Sequence, residues 1–265
     1  MLRRDLPDAV HQMRVSARRL RSGLKVFAPL IDRSWATRMR DELGWMASGL
    51  GEARDTEVLQ ARLDAHTAEL GGDDGARARA LIDTAMQSRL ALARDATDQV
   101  VASDRYLDLL EDLVDGVRRP PLTSRADRPA DRVLPGLVAK AFDRLERRIT
   151  GLSLDTPSAQ WHEARIAAKR ARYAADAVAP VIGSGMGRLA ERLAEVTEVL
   201  GTHQDAHVAQ TALRELASAG SASGQDAFAL GRLLAVEQGA EMADRRDFLA
   251  LWPSVRKAAR RAGVA

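Results

Sequence analysis

An all-α fold assembled from helical bundles is what this 265-residue sequence predicts. Three observations point to it. Almost every long segment spaces its apolar residues at helical period, with Ala, Leu and Arg dominating. No run alternates β-branched residues as a half-buried strand would. Two motifs also recur in the same order in the two halves of the chain, the mark of a repeated unit.

The periodicity predicts helices over 7–29, 34–50, 52–70, 75–101, 103–117, 132–150, 157–179, 186–200, 203–219, 224–245 and 253–262. Asp8 and Ser158 stand near helix starts; Gly71, Gly72 and Gly183 stand near helix ends. Residues 118–131, RRPPLTSRADRPAD, hold three prolines and no apolar periodicity, so they read as a linker or mobile loop. They divide a single domain, 1–265, into a first half, 1–117, and a second half, 132–265.

Composition narrows the function. Hydrophobic residues make up 46% and charged residues 29%, as in a globular protein. No apolar run approaches the ~20 residues of a membrane helix, and the N-terminus has no apolar core of a signal peptide, so a cytoplasmic protein without membrane association is expected. With no cysteine there is no disulfide, thiolate metal site or thiol nucleophile. The net charge of +3 decides little, so the placement of the charges carries the argument.

The first motif, from His11 through Arg14, Arg18 and Arg19 to Arg21, aligns with His162, Arg165, Lys169, Arg170 and Arg172. A second motif, Leu50-Gly51 with Asp55 and Val58, aligns with Leu200-Gly201, Asp205 and Val208. Two motifs in order at nearly constant separation imply two equivalent helical halves related by a pseudo-two-fold axis. The helix at 132–150 precedes the second copy, whereas only ten residues precede the first, so the first half is expected to lack one helix. A chain cut from a longer protein would look the same.

At about 100° per residue, His11, Arg14, Arg18, Arg21 and Lys25 fall in one stripe about 80° wide. Met13, Ala17, Leu20, Leu24 and Phe27 fall opposite and are the expected core face. The second copy repeats the stripe with His162, Arg165, Lys169 and Arg172; Tyr173 lies beside it and Asp176 replaces the Lys25 equivalent. A solvated helix face normally mixes signs, because like charges at i,i+4 repel. Residues 9–31 hold five cations and no anion, while 41–75 hold nine acids and two bases. Such segregation calls for an external anion or for acids brought in from a neighbouring helix. A stripe about 20 Å long suits a linear polyanion better than a single phosphate.

These motifs resemble those of the conserved histidine α-helical domain, the CHAD family. H-x-x-R-x-x-x-R-R-x-R, its second copy ending in K-R-x-R-Y, and the following L-G-x-x-x-D elements carry the resemblance across essentially the whole chain. It implies two pseudo-symmetric antiparallel helical bundles of about four helices each, forming one CHAD domain. It also implies non-catalytic binding of inorganic polyphosphate in a basic groove or channel, targeting to polyphosphate granules, and a fused or associated CYTH-type domain as a companion. By position, the resemblance assigns anion binding to His11, Arg14, Arg18, Arg19, Arg21, His162, Arg165, Lys169, Arg170 and Arg172. Helix geometry adds Lys25 and Tyr173. No E-x-E-x-K signature of the CYTH triphosphatases occurs, so their activity is not carried over.

Two other readings remain. One is a nucleic-acid-binding protein using the same basic helices, although aromatics total only 4%, few for base stacking. The other is a metal-dependent phosphohydrolase using Asp55, Asp205 and the pair His203 and His207. Against it, Ala53 and Glu57 stand at the matching places of the first half, and each aspartate reads equally well as the acid that fixes a motif arginine. No cofactor or metal is therefore expected. Gly183 to Arg188 lacks the lysine and hydroxyl of a nucleotide loop and reads as a turn. Trp35, Trp45, Trp161 and Trp252 read as interhelix packing. His11 and His162 head the stripes, so polyanion binding is expected to tighten below about pH 6.5.

Overall fold

The computed structural model of the chain describes residues 6–219 and 223–265. The described residues form nine α-helices. They are α1 (Leu6–Val26), α2 (Arg33–Gly49), α3 (Gly51–Leu70), α4 (Gly72–Val101), α5 (Asp104–Arg118), α6 (Ala130–Ile149), α7 (Ser158–Ile182), α8 (Ser184–Ser218) and α9 (Gly224–Arg261). The expected all-α architecture holds, with two of the expected breaks absent. Gly201 lies inside α8, where a glycine costs about 1 kcal/mol against alanine. The buried Leu200, His203 and Ala206 on either side carry the helix through. Pro253 lies inside α9, at the end of a ladder of rings. Trp252 stacks on Phe142 of α6 at 5.8 Å, and Phe248 meets Trp161 of α7 edge-on at 5.3 Å.

The local signals fix the other boundaries. Asp32 accepts from the backbone N–H of Trp35 at 2.9 Å and starts α2. Ser103 accepts from Tyr106 and starts α5. Gly71 and Gly183 end α3 and α7 at φ of 63° and 112°, a region that favours glycine. Ser158 is the first residue of α7, behind Pro157, and the side chain of Asp8 lies outside the described residues. The proline-rich linker is hydrogen-bonded to the loop after α1. Asp32 N–H donates to Pro121 O at 2.7 Å and Thr123 N–H to Leu30 O at 3.0 Å, and Ser124–Asp127 forms a 3-10 turn.

Element order follows the repeat. α7 corresponds to α1, α8 to α2 and α3 together, and α9 to α4 and α5 together. α6 has no counterpart among the described residues of the first half. Three cores result. One joins α6, α7, the first part of α8 and the last part of α9, around Phe142, Trp161, Leu193 and Phe248. A second joins α1, α2 and α5, around Ala17, Met39, Leu43 and Leu109. The third is made by both halves: Leu59, Leu63 and Ile82 of α3 and α4 meet Leu213, Leu230 and Leu233 of α8 and α9.

A buried polar chain runs beside the third core. Glu237, whose side chain is fully buried, accepts from Arg62 Nε at 2.8 Å and meets His66 Nδ1 at 2.7 Å. One turn further along α9, Glu241 accepts from Ser158 and Gln210, both at 2.5 Å, and from Arg245 at 2.7 Å. Burial pushes the Glu241 carboxyl up, but these bonds and that to His203 outweigh it and hold the group below the usual carboxylate range. Removing one member leaves the others buried and unpaired. Glu241→Ala is expected to cost about 3 kcal/mol or more. Arg192→Ala, which breaks an exposed i,i+3 pair with Glu195, is expected to cost under about 0.5 kcal/mol. Urea midpoints of the two variants check the contrast.

Candidate anion-binding site

The apolar faces of α1 and α7 dictate where their cations go. Ala17 and Leu24 of α1, and Ala164, Ala168, Ala171 and Ala175 of α7, are buried. The small residues of α7 allow close approach, and α1 packs directly against α7. The two cationic stripes therefore lie side by side. Arg18 of α1 meets Arg165 and Lys169 of α7 closely enough for the three to repel. Tyr173 is shared: Arg19 from α1 and Arg172 from α7 each hold a guanidinium 5.8 Å from its ring centroid.

Two glycines shape the wall of the first half. A Cβ at Gly44 would stand 3.2 Å from Arg21 Nη2, and one at Gly51 would stand 3.3 Å from Arg14 Nη2. Arg14 and Arg21, two turns apart on α1, thus pass over two glycines with the same separation on the antiparallel α2 and α3. Arg14 ends on Asp55, its Nη2 donating to both carboxylate oxygens at 2.9 and 3.0 Å. Asp55 therefore serves as the acid that fixes a motif arginine. In the second half Arg172 donates to Thr197 Oγ1 at 3.0 Å, with Asp176 3.7 Å from its Nε. His162 Nδ1 lies 2.6 Å from Gln204 Oε1 of α8.

The electrostatics are those of crowded like charges. Burial, then Arg165 and Arg18, lower the pKa of Lys169 to about 7, with Asp205 opposing. Burial lowers the guanidinium of Arg165 from its ordinary value. Burial likewise lowers Arg170, with Arg40, Arg144 and Arg21 adding to the effect. Arg40, burial, Arg170 and Arg144 lower Lys25. Burial raises the Asp205 carboxyl although Arg165, Arg62 and Lys169 pull it down, and Asp55 across the pseudo-axis adds to the rise. The buried Nε atoms of Arg18, Arg165 and Arg172 find no hydrogen-bond partner in the protein. Donors left this way on one surface suit an anion.

All twelve expected site residues lie on α1 or α7. Arg18, Arg19, Arg165, Lys169, Arg172 and Tyr173 meet at the centre. Arg21, Lys25 and Arg170 gather at one end with Arg40 of α2 and Arg144 of α6, which the motif pattern did not reveal. Arg144, Arg147, Arg148 and Arg170 continue as one wall of a cleft between α6 and α7, where Arg148 pairs with Glu163 at 2.5 Å. A helical projection of α6 does not single them out, since Arg144 and Arg148 stand seven residues after Leu137 and Ala141 and fall within about 20° of them. Arg40 sits among Arg38, Asp41 and Glu42, a mixed face that gives no signal.

Several expectations need correction. Leu20, assigned to the core face, is 45% exposed. Leu200-Gly201 is helix interior, and only Leu50-Gly51 marks a junction. His203 is a core residue: Arg245 Nε donates to its Nε2 at 3.2 Å, and its ring packs on Trp161. His203 is thus committed to the core, and among the described residues no three acids or histidines cluster as a metal site would need. The tryptophans pack between helices as expected, with Trp45 under the Arg105 guanidinium at 4.3 Å and Trp35 against Gly116.

Comparison with known proteins gives this arrangement its relatives. The chain is 31% identical over 262 residues to two uncharacterized proteins of Mycobacterium tuberculosis, MT2285 of strain CDC 1551 / Oshkosh and Rv2226 of strain ATCC 25618 / H37Rv. The match takes in 92% of this chain and 47% of each of those proteins, so the chain spans about half their length. PptA from Streptomyces chartreusis superposes with a TM-score of 0.82 at 27% identity, over 93% of this chain and 89% of that one. The crystal structure of the CHAD domain from the plant Ricinus communis superposes with a TM-score of 0.62 at 29% identity, over 91% and 82% of the two chains. The family model of the CHAD domain matches residues 1–214. With its paired motif helices, the chain belongs to the CHAD domain family.

Proposed function

We propose that this chain binds inorganic polyphosphate, without catalysis, in the groove where α1 and α7 meet. The observation that carries the proposal is the junction of Arg18, Arg165 and Lys169: three half-buried cations repel one another, and two of them hold an unpartnered Nε. A linear chain of phosphates neutralises such a row at regular intervals, whereas one phosphate would occupy two cations. The end cluster of Arg21, Lys25, Arg40, Arg144 and Arg170 continues the track. Tyr173 already carries two guanidiniums 5.8 Å from its ring centroid, and aromatics are few, which favours polyphosphate over single-stranded nucleic acid. Partnership with a CYTH-type domain and residence at cytoplasmic polyphosphate granules are part of the same proposal.

Charge reversal tests the site. Arg18→Glu combined with Lys169→Glu is expected to abolish binding of long-chain polyphosphate, read by fluorescence anisotropy. The melting temperature should not fall, because the reversal relieves repulsion. Loss of the fold instead would mean that these cations hold the halves together. Wild-type affinity should fall steeply with salt, since counterions are released on binding. Duplex DNA that displaced polyphosphate at equal phosphate concentration would overturn the choice of ligand.

Gly44→Ala is expected to leave stability unchanged or raise it by up to ~1 kcal/mol, because alanine is the better helix former. It should weaken polyphosphate binding by pushing the Arg21 guanidinium aside. Denaturation and anisotropy on one variant separate the two effects.

Lys169 gives the groove a pH dependence. In the free protein it loses its proton near pH 7, against 10.5 for the ordinary group. An anion restores the charged form, so binding at pH 8 should take up a proton, and affinity should fall as pH rises above about 7. Stability of the free protein has the opposite sign. The unfolded chain holds the proton between pH 7 and 10.5 and the folded chain does not, so folding stability rises with pH through that window. Calorimetry in two buffers of different ionisation enthalpy reads the uptake, which Lys169→Arg should remove.

A further inference from the structure

Exposed apolar side chains stand on α1 and α5, apart from the cationic stripe. Leu107, Leu110, Val114 and Val117 form one stripe along α5, at 55, 39, 48 and 82% exposure. Their spacing of three, four and three residues is that of helix-in-groove anchors. The flank of α5 next to this stripe is committed: Leu109 is buried against α1 and α2, and Tyr106 O–H donates to Met13 Sδ of α1 at 3.3 Å. The stripe thus runs beside α1, where Leu20 is also exposed.

The internal repeat says what covers such a surface. Leu20 of α1 corresponds to Ala171 of α7, and Ser16 to Ala167. Ala171 is fully buried and Ala167 nearly so, in the core that α6 shares with α7 and α9. Phe142 and Leu145 of α6 fill the gap between those two helices, and α6 stacks on Trp252 of α9. In the first half α1 stands for α7 and α5 for the end of α9. By that correspondence the exposed Leu20 and the α5 stripe occupy the place that α6 covers in the second half. Charge narrows the occupant further. Asp104, Asp108, Glu111 and Asp115, all exposed, line the far side of the α5 stripe.

We propose that this surface docks one basic amphipathic helix of a partner, lying on α1 and α5 as α6 lies on α7 and α9. Its apolar side covers Leu20, Leu107, Leu110, Val114 and Val117, and its Lys or Arg flank faces the acidic row. A second copy of this chain meets the need poorly through this surface, because two such acidic rows would repel.

A labelled synthetic peptide of the α6 sequence, Ala130–Ile149, is the probe, since it carries both an apolar face and Lys140, Arg144, Arg147 and Arg148. Saturable binding to the whole chain is expected. It should weaken by about tenfold or more in Leu107→Glu/Val114→Glu, and likewise for a peptide with its four basic residues changed to Glu. Both substitutions are at exposed positions, and circular dichroism with thermal melting confirms that the variant is folded. No peptide binding, or equal binding to the variant, overturns the proposal. So does a wild-type dimer that Leu107→Glu/Val114→Glu dissolves, which would make a second copy the occupant.

Discussion

Holding Arg18, Arg165 and Lys169 together is uphill on its own, and the interlocked cores of the molecule supply what opposes it. The stripes of α1 and α7 are anchored by what lies behind them, Ala17 and Leu24 on α1 and a fully buried run of alanines on α7. The strain appears as lowered pKa values at Lys169, Arg165, Arg170 and Lys25, each traced to burial or to a neighbouring cation. On the proposed reading, a surface prepared this way would bind a polyanion by relieving repulsion as well as by forming ion pairs. Its electrostatic arrangement precedes the ligand, so little reorganisation is needed on binding.

Acids are present but rationed. Asp55 is committed to Arg14, and Asp205 sits beside Arg165 and Lys169 with its carboxyl pushed up by burial. The pseudo-symmetric pair thus plays unequal parts, one as a fixed counter-ion and the other as a half-buried acid whose carboxyl burial pushes up. The glycines follow the same inequality. Gly51 has Arg14 over it, whereas Gly201, its counterpart, has open space around it. The repeat preserved the helix register more closely than the contacts within it.

The fold class, the repeat and the two stripes were legible because each depends on residues near in sequence. Helical period places Arg14, Arg18 and Arg21 on one face whatever surrounds the helix. Nothing of that kind revealed Arg40 or Arg144, which reach the site only because α2 and α6 pack beside it. Gly201 and Pro253 looked like helix ends because propensity is a local quantity, while the packing of Leu200 and Trp252 that overrides it comes from distant segments. Leu20 failed for the opposite reason. Its face is apolar, but no helix of the described residues covers it as α6 covers Ala171. His203 looked like a ligand by spacing, and only the arrival of Arg245 from another helix shows it to be part of the interior.

The lengths of α8 and α9 carry a last consequence. Each begins or ends in one core and continues into another, so the third core draws its walls from both sides of the proline-rich linker. Severing the chain at that linker would leave neither fragment with a complete interior, since Leu63 and Ile82 would part from Leu213 and Leu233. The two repeated units are thus interlocked, each completing an interior that the other begins.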